Sequence, residues 1–351
     1  MRFINADIYQ AGREATRVGE RQPWSDRLAS WAMGVIALTP ALVLLGLLGY
    51  LLWSSWPIWQ WMGWRFFTDT RWALGNLYGH PVAIGGWQVM PGAAYGALVF
   101  IVGTALTSLL SLLFATPVAI MVAAATTFVL PRRWRGLLAA VVETMAGIPS
   151  VIFGLWGFTT VAPVVTHAVA PWLNRVLAPL PFFSGPVESQ TNLLVAVVVL
   201  TLMIMPIIAA TSRLAMENVN AAWVEGAMAL GFTEWEVFRH VVWPKIHSGI
   251  LGAMILGLGR ALGETMAVLM VSGNALNVLP QNWFSPVSTM AATIAGQLDS
   301  ALTDPSGMAV RALGALGLVL FGITVLTNLG ARAAARMALS AGPHSSAEWG
   351  Y

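Results

Sequence analysis

Apolar residues gather into six long runs set apart by short polar, basic or proline-rich stretches, at about residues 28–53, 95–129, 137–165, 192–213, 250–271 and 309–331. A helix rises 1.5 Å per residue, so about 20 residues cross a hydrocarbon core roughly 30 Å thick, and every run is that long. With no water at that depth to satisfy peptide groups, continuous apolar runs must be helical. The pattern predicts an all-α polytopic membrane protein with six transmembrane helices. Pro40 and Pro117 predict kinks in the first two runs. The third is interrupted by Glu143 and then by Gly147-Ile148-Pro149-Ser150, where the missing proline donor predicts a broken helix, with Pro149 a candidate gate or kink. A proline-rich loop is expected from Pro163 to Glu188.

The polar stretches divide the chain and orient it. Residues 1–30 read as a tail, 31–92 as the first span with a tryptophan-rich loop, 93–331 as a core of five spans with a long loop at 217–247, and 332–351 as a second tail. The first tail interleaves arginines with Asp7, Glu14, Glu20 and Asp26 and precedes no small-residue cleavage site, so it reads as retained rather than as a signal peptide. Trp56, Trp59, Trp61, Trp64, Trp72 and Trp87 suit a folded loop lying at headgroup level. Residues 1–30, 132–135, 213–245 and 332–351 hold 13 of the 18 Lys and Arg, whereas the alternate loops hold only Arg65, Arg71 and Arg175. The excess of positive charge on one side predicts that both termini and the 217–247 loop are cytoplasmic.

The fifth run, Ile250 to Val271, carries the most pointed chemistry. It places Arg260 and Glu264 four residues apart, on one face of a continuous helix, flanked by Gly257, Gly259 and Gly263. A charge at mid-bilayer costs at least a few kcal/mol, so such residues turn toward a bundle interior or an aqueous path. Either the two neutralise each other as an i,i+4 ion pair with the glycines serving helix packing, or the stretch lines a pathway, which is the reading favoured. Thr265 either adds a hydroxyl donor there or bonds its own i−4 carbonyl. Glu143 is expected to snorkel to Arg132, Arg133 or Arg135, with a gate at the inner mouth as the alternative. Arg311 is matched with Asp299 or Asp304.

Composition removes other function classes. Charged residues are 9% of the chain, against about a quarter in a soluble domain. There is no cysteine, and His80, His167, His240, His247 and His344 show no metal-ligand spacing, so no metal site is expected. The lone lysine, Lys245, sits between Pro244 and Ile246, which leaves no phosphate-binding P-loop. No cofactor is expected on this chain, no catalytic constellation emerges, and 17 tryptophans with a net charge of +3 suit a membrane interface rather than nucleic acid.

In the 217–247 loop, one short helix around Ala222 to Leu230 is expected to stop at Gly231, and a second to open with Thr233 and Glu236 in capping-box spacing and end before Pro244. Glu225-Gly226-Ala227, Gly231 and Val241-Val242-Trp243-Pro244 resemble the EAA loop of ABC-importer permeases, with Gly226 and Trp243 where that pattern has alanine and leucine. Gly257 to Val268 is similar to the signature of phosphate-importer permeases of the PstC type, and Ala146 to Val151 with Gly154 and Leu316 to Phe321 agree with it. The resemblance implies a type I ABC importer permease fold in the bacterial inner membrane, surrounded by lipid. It further implies a heterodimer with a homologous PstA-type permease, two PstB-type subunits that use ATP and Mg, and an extracytoplasmic PstS-type phosphate-binding protein. Glu225, Gly226, Ala227, Gly231 and Pro244 would form the coupling loop. Arg260 would attract the anion while Glu264 accepts a phosphate hydroxyl. Gln297 stands where such permeases often carry Glu, a departure that bears on the external gate if that acid belongs to it. The alternatives are an ion-coupled carrier with Arg260 and Glu264 as a proton relay, though no internal repeat supports it, and a permease for another oxyanion.

Overall fold

The computed structural model describes residues 24–340 except 178, 184 and 188. Among the described residues six helices are long and apolar enough to cross a membrane. The residues before 24 and after 340, most of the two expected tails, lie outside that description. The first helix, α1 (Trp24–Met62), passes through Pro40 and runs beyond the expected end of the first span. Among the described residues, 24–53 belong to one compact unit, in which the described side chains of α1 are exposed almost throughout, and a second unit begins at Ser54.

The tryptophan-rich stretch is a small folded module of the second unit. It contains α2 (Arg65–Thr68) and four short strands, β1 (Trp72–Ala73), β2 (Val82–Ile84), β3 (Trp87–Val89) and β4 (Ala94–Tyr95). Strands β1 and β4 pair antiparallel with Trp72 opposite Tyr95, and β2 pairs with β3. Trp72 stands edge-on to Tyr95 and Phe100, and all three are buried with Ile58 and Phe66. Trp72 is therefore core rather than a headgroup anchor, because edge-to-face aromatic pairs bury large areas of ring. Trp64 and Trp56 keep the expected exposure.

Six further helices carry much of the architecture: α3 (Leu98–Val129), α4 (Arg132–Gly147), α5 (Ser150–Val176), α6 (Leu193–Glu217), α7 (Ala221–Ala229) and α8 (Glu234–Leu262). Then come α9 (Met266–Val271), α10 (Met290–Leu302) and α11 (Met308–Ser340). Helix α6 is the most buried span, packed against α3, α4 and α8. Small residues set those contacts: a methyl at Gly257 would lie 2.6 Å from Ile208 Cδ1, and one at Gly249 2.5 Å from Ala215 Cβ. Van der Waals packing of this kind replaces the hydrophobic drive that lipid does not supply.

Four expectations are corrected. The third run does not form a span from 137 to 165. It divides at Ile148 and Pro149, both extended, into the polar, arginine-bearing α4 and a crossing helix, α5. The expected loop from Pro163 is helical as far as Val176, because Pro163 and Pro171 each sit in the first turn of a segment resumed after a wide π turn, where a missing N–H costs little. Nor does the second loop helix end before Pro244: a π turn at Phe238–Val242 carries it into Trp243, with Pro244 again in the first turn of the resumed α-helical segment. The last helix likewise passes Ala331 and continues through Arg332 and Arg336.

Candidate functional site

Helix α8 stops in the middle of the fifth apolar run. Gly263 closes it with φ −92° and ψ 0°, Glu264 and Thr265 lie between helices, and α9 starts at Met266. The Glu264 carboxylate accepts from the Ala267 N–H at 3.4 Å, meeting one of the orphan donors at the start of α9. Glu264 itself is buried, 9% exposed. Thr265 donates its hydroxyl to the Gly263 carbonyl at 3.2 Å, which ties the break together and differs from the expected i−4 bond.

This break contradicts the stacked Arg260–Glu264 arrangement. Arg260 occupies the last turn of α8 and Glu264 lies beyond it, and both ion pairs found among the described residues belong to Arg213 instead. At a helix C-terminus the aligned peptide dipoles favour a cation, and Arg260 sits in that last turn. It is half-buried, and its Nε is buried with no hydrogen-bond partner among the described residues. Gly257 is packed tightly against α6, whereas a methyl at Gly259 would only touch Asn328 Oδ1, in ordinary contact at 3.9 Å.

Glu143 also has a different partner from the one expected. Its Oε1 accepts from Arg213 Nη2 at 2.9 Å, and Arg213 Nε lies 3.4 Å from Glu217, so α4 is clipped to the end of α6. Arg135 turns back to the carbonyls of Leu130 and Phe128. Sequence reasoning passes over Arg213 because its partner is 70 residues away. The available signal is an arginine at the end of one apolar run with an acid in another. After the Pro149 break, α5 presses Gly154 against α9, where a methyl would come within 2.9 Å of Ala267 Cα.

Two more pairings resolve differently. The Arg311 guanidinium lies over the Trp87 ring, 5.5 Å from its centroid, rather than pairing with Asp299 or Asp304. Asp304 accepts from the Ser306 hydroxyl and the Ala309 N–H and so caps α11. Gln297 lies in α10.

The 217–247 loop folds as expected over its first part. Asn220 caps α7 by accepting from the Ala222 N–H, and Gly231 takes φ +88°, a conformation glycine adopts without a Cβ clash. Thr233 and Glu236 form the full capping box at the start of α8. Glu225 and Gly226 are exposed and Ala227 is buried. Glu225 has no hydrogen-bond or ion-pair partner among the described residues. A shallow apolar groove beside them is lined by Trp223, Gly226, Leu230 and Phe232. Among the described residues no group of three or more His, Asp or Glu is placed to hold a metal.

Residues 115–337 match the family described as binding-protein-dependent transport system inner membrane component. Over 309 residues, 87% of this chain and 91% of theirs, the sequence is 43% identical to proteins named phosphate transport system permease protein PstC 1 in Mycobacterium tuberculosis and Mycobacterium bovis. A phosphate transport system permease protein PstC of Xylella fastidiosa is 37% identical over 284 residues, 80% of this chain and 82% of that protein. Among solved structures, a chain of an inward-facing MetNI methionine ABC transporter aligns with TM-score 0.47 and 16% identity, covering 68% of this chain and 96% of that one.

Proposed function

The chain belongs to the family of binding-protein-dependent transport system inner membrane components, and from that membership we propose that it is one permease half of an ATP-driven importer of inorganic phosphate. It is a multi-pass protein of the bacterial inner membrane. The observation that carries the substrate reading is Arg260, a membrane-embedded guanidinium with a buried, unpartnered Nε and no carboxylate in ion-pair contact among the described residues. The relatives' names supply the anion that such a group would meet.

On this reading Arg260 draws the anion into the pathway, and its planar fork of donors suits phosphate oxygens. Arg260 holds the anion weakly, because a transport site must also release it. Glu264, one oxygen held by Ala267, offers the other to a hydroxyl of the protonated anion and repels fully deprotonated oxyanions. Thr265 shapes the break through Gly263. Both termini and the 217–247 loop are cytoplasmic, which is the side the basic residues favour.

The same loop docks on a separate ATP-hydrolysing subunit through Glu225, Gly226 and Ala227. Because α8 is one helix from Glu234 past Pro244 to Leu262, displacement of α7 that passes the turn at Gly231 is carried along it to Arg260. The Pro149 break lets α5 move against α4, which Glu143 and Arg213 hold at the inner end. A PstA-type permease completes the pathway, two PstB-type subunits use ATP and Mg, and a PstS-type binding protein delivers phosphate.

Radiolabelled phosphate uptake into vesicles holding the four-component assembly tests this. Uptake is expected only with internal ATP and to resist excess sulfate. Uptake that persists without ATP would favour an ion-coupled carrier, and uptake abolished by sulfate would favour another oxyanion.

A further inference from the structure

Helix α11 carries one carboxamide within its membrane span, Asn328, between Thr327 and Leu329. Its Oδ1 is the nearest atom to the bare face of Gly259, the residue before Arg260. No hydrogen bond satisfies this amide among the described residues, although Thr324, one turn earlier, is bonded to the Leu320 carbonyl. An amide left unpaired in hydrocarbon costs several kcal/mol, so a side chain so placed turns toward water, a solute or another polar group. On the facing helix the next residue is the arginine whose Nε also lacks a partner. Two polar groups without partners thus lie at neighbouring positions of α8 and α11, the amide against Gly259 and the guanidinium one residue further along the same turn.

We propose that Asn328 touches the transported anion, as a neutral donor and acceptor beside the Arg260 guanidinium. This rests on the phosphate reading above and deepens it. A carboxamide has two N–H donors and a carbonyl acceptor on one planar group. Hydrogenphosphate presents the complement, oxygens that accept and a hydroxyl that donates, so one amide engages both without adding charge to the pathway. Arg260 supplies attraction and Asn328 supplies fit. Neutral contact of this kind keeps the site weak enough for release.

The four-component assembly in vesicles tests this with Asn328→Leu, which keeps approximate size and removes all hydrogen bonding, and Asn328→Asp, which keeps shape and replaces the donors with an acceptor. Binding-protein-stimulated ATP hydrolysis and subunit assembly are measured beside phosphate uptake. The expected result is full assembly and ATP hydrolysis with phosphate moved per ATP reduced about tenfold or more in both variants, the scale of a lost hydrogen bond to a charged group. Because this chain has no cysteine, Asn328→Cys also gives it a single thiol, which an impermeant thiol reagent should modify and phosphate should protect, and a thiol that phosphate leaves unprotected overturns the proposal. Wild-type uptake per ATP in an assembled Asn328→Leu complex overturns the proposal, as does loss of assembly in both variants, which assigns the amide to packing against the other permease. Absence of phosphate uptake by the wild-type assembly would instead remove the reading on which the proposal rests.

Discussion

At the scale of single residues, the charges of the membrane region are arranged by where helices end. Arg260 lies in the last turn of one helix and Glu264 lies between that helix and the next. The sequence singles out both, because charges are rare in apolar runs. It conceals their relation because Gly263 has the look of a packing glycine and acts as a stop. The same rule applies to Glu143, whose partner Arg213 ends an apolar run distant in sequence. Single charge reversals, Glu143→Arg or Arg213→Glu, should lower the thermal stability of the detergent-solubilised complex and slow uptake, while the double reversal recovers both in part, the Arg213–Glu217 contact remaining lost. Because Glu143 is largely exposed, the stability loss per single change should be about 1 kcal/mol or less. A double variant no better than the singles would show that the two side chains do not act as a pair.

At the scale of elements, the π turns explain most of what the sequence conceals. A proline inside a helix is read as its end, since it lacks a donor and crowds the preceding turn. Pro163, Pro171 and Pro244 escape this because each begins a segment after a widened turn, so their helices continue. Pro149 has no such turn before it and does break the chain, between two helices where Ile148 and Pro149 are both extended. The capping box at Thr233 and the left-handed glycine at Gly231 are legible because both depend on local residue chemistry alone. Replacing Gly231 by Trp adds a side chain at φ +88° beside the exposed face of α7, so Gly231→Trp should insert in the membrane yet lose copurification with the ATP-hydrolysing subunit. Undiminished copurification would place the docking surface elsewhere.

At the scale of the molecule, six membrane-crossing helices are legible from the apolar runs because length and composition decide them. The tertiary arrangement is not, since it rests on contacts such as Gly257 against Ile208 that only the fold reveals. The burial of Trp72 and Tyr95 in the module before α3 is hidden for the same reason. What joins the scales is α8, which begins at the capped loop and carries Arg260 in its last turn. The most direct measurement is therefore ATP-dependent phosphate uptake by the reconstituted assembly with Arg260→Gln, at matched expression and with assembly verified. Uptake abolished while the ATP-hydrolysing subunits remain docked is the predicted result; uptake at the wild-type rate would contradict the assignment of Arg260 to the pathway.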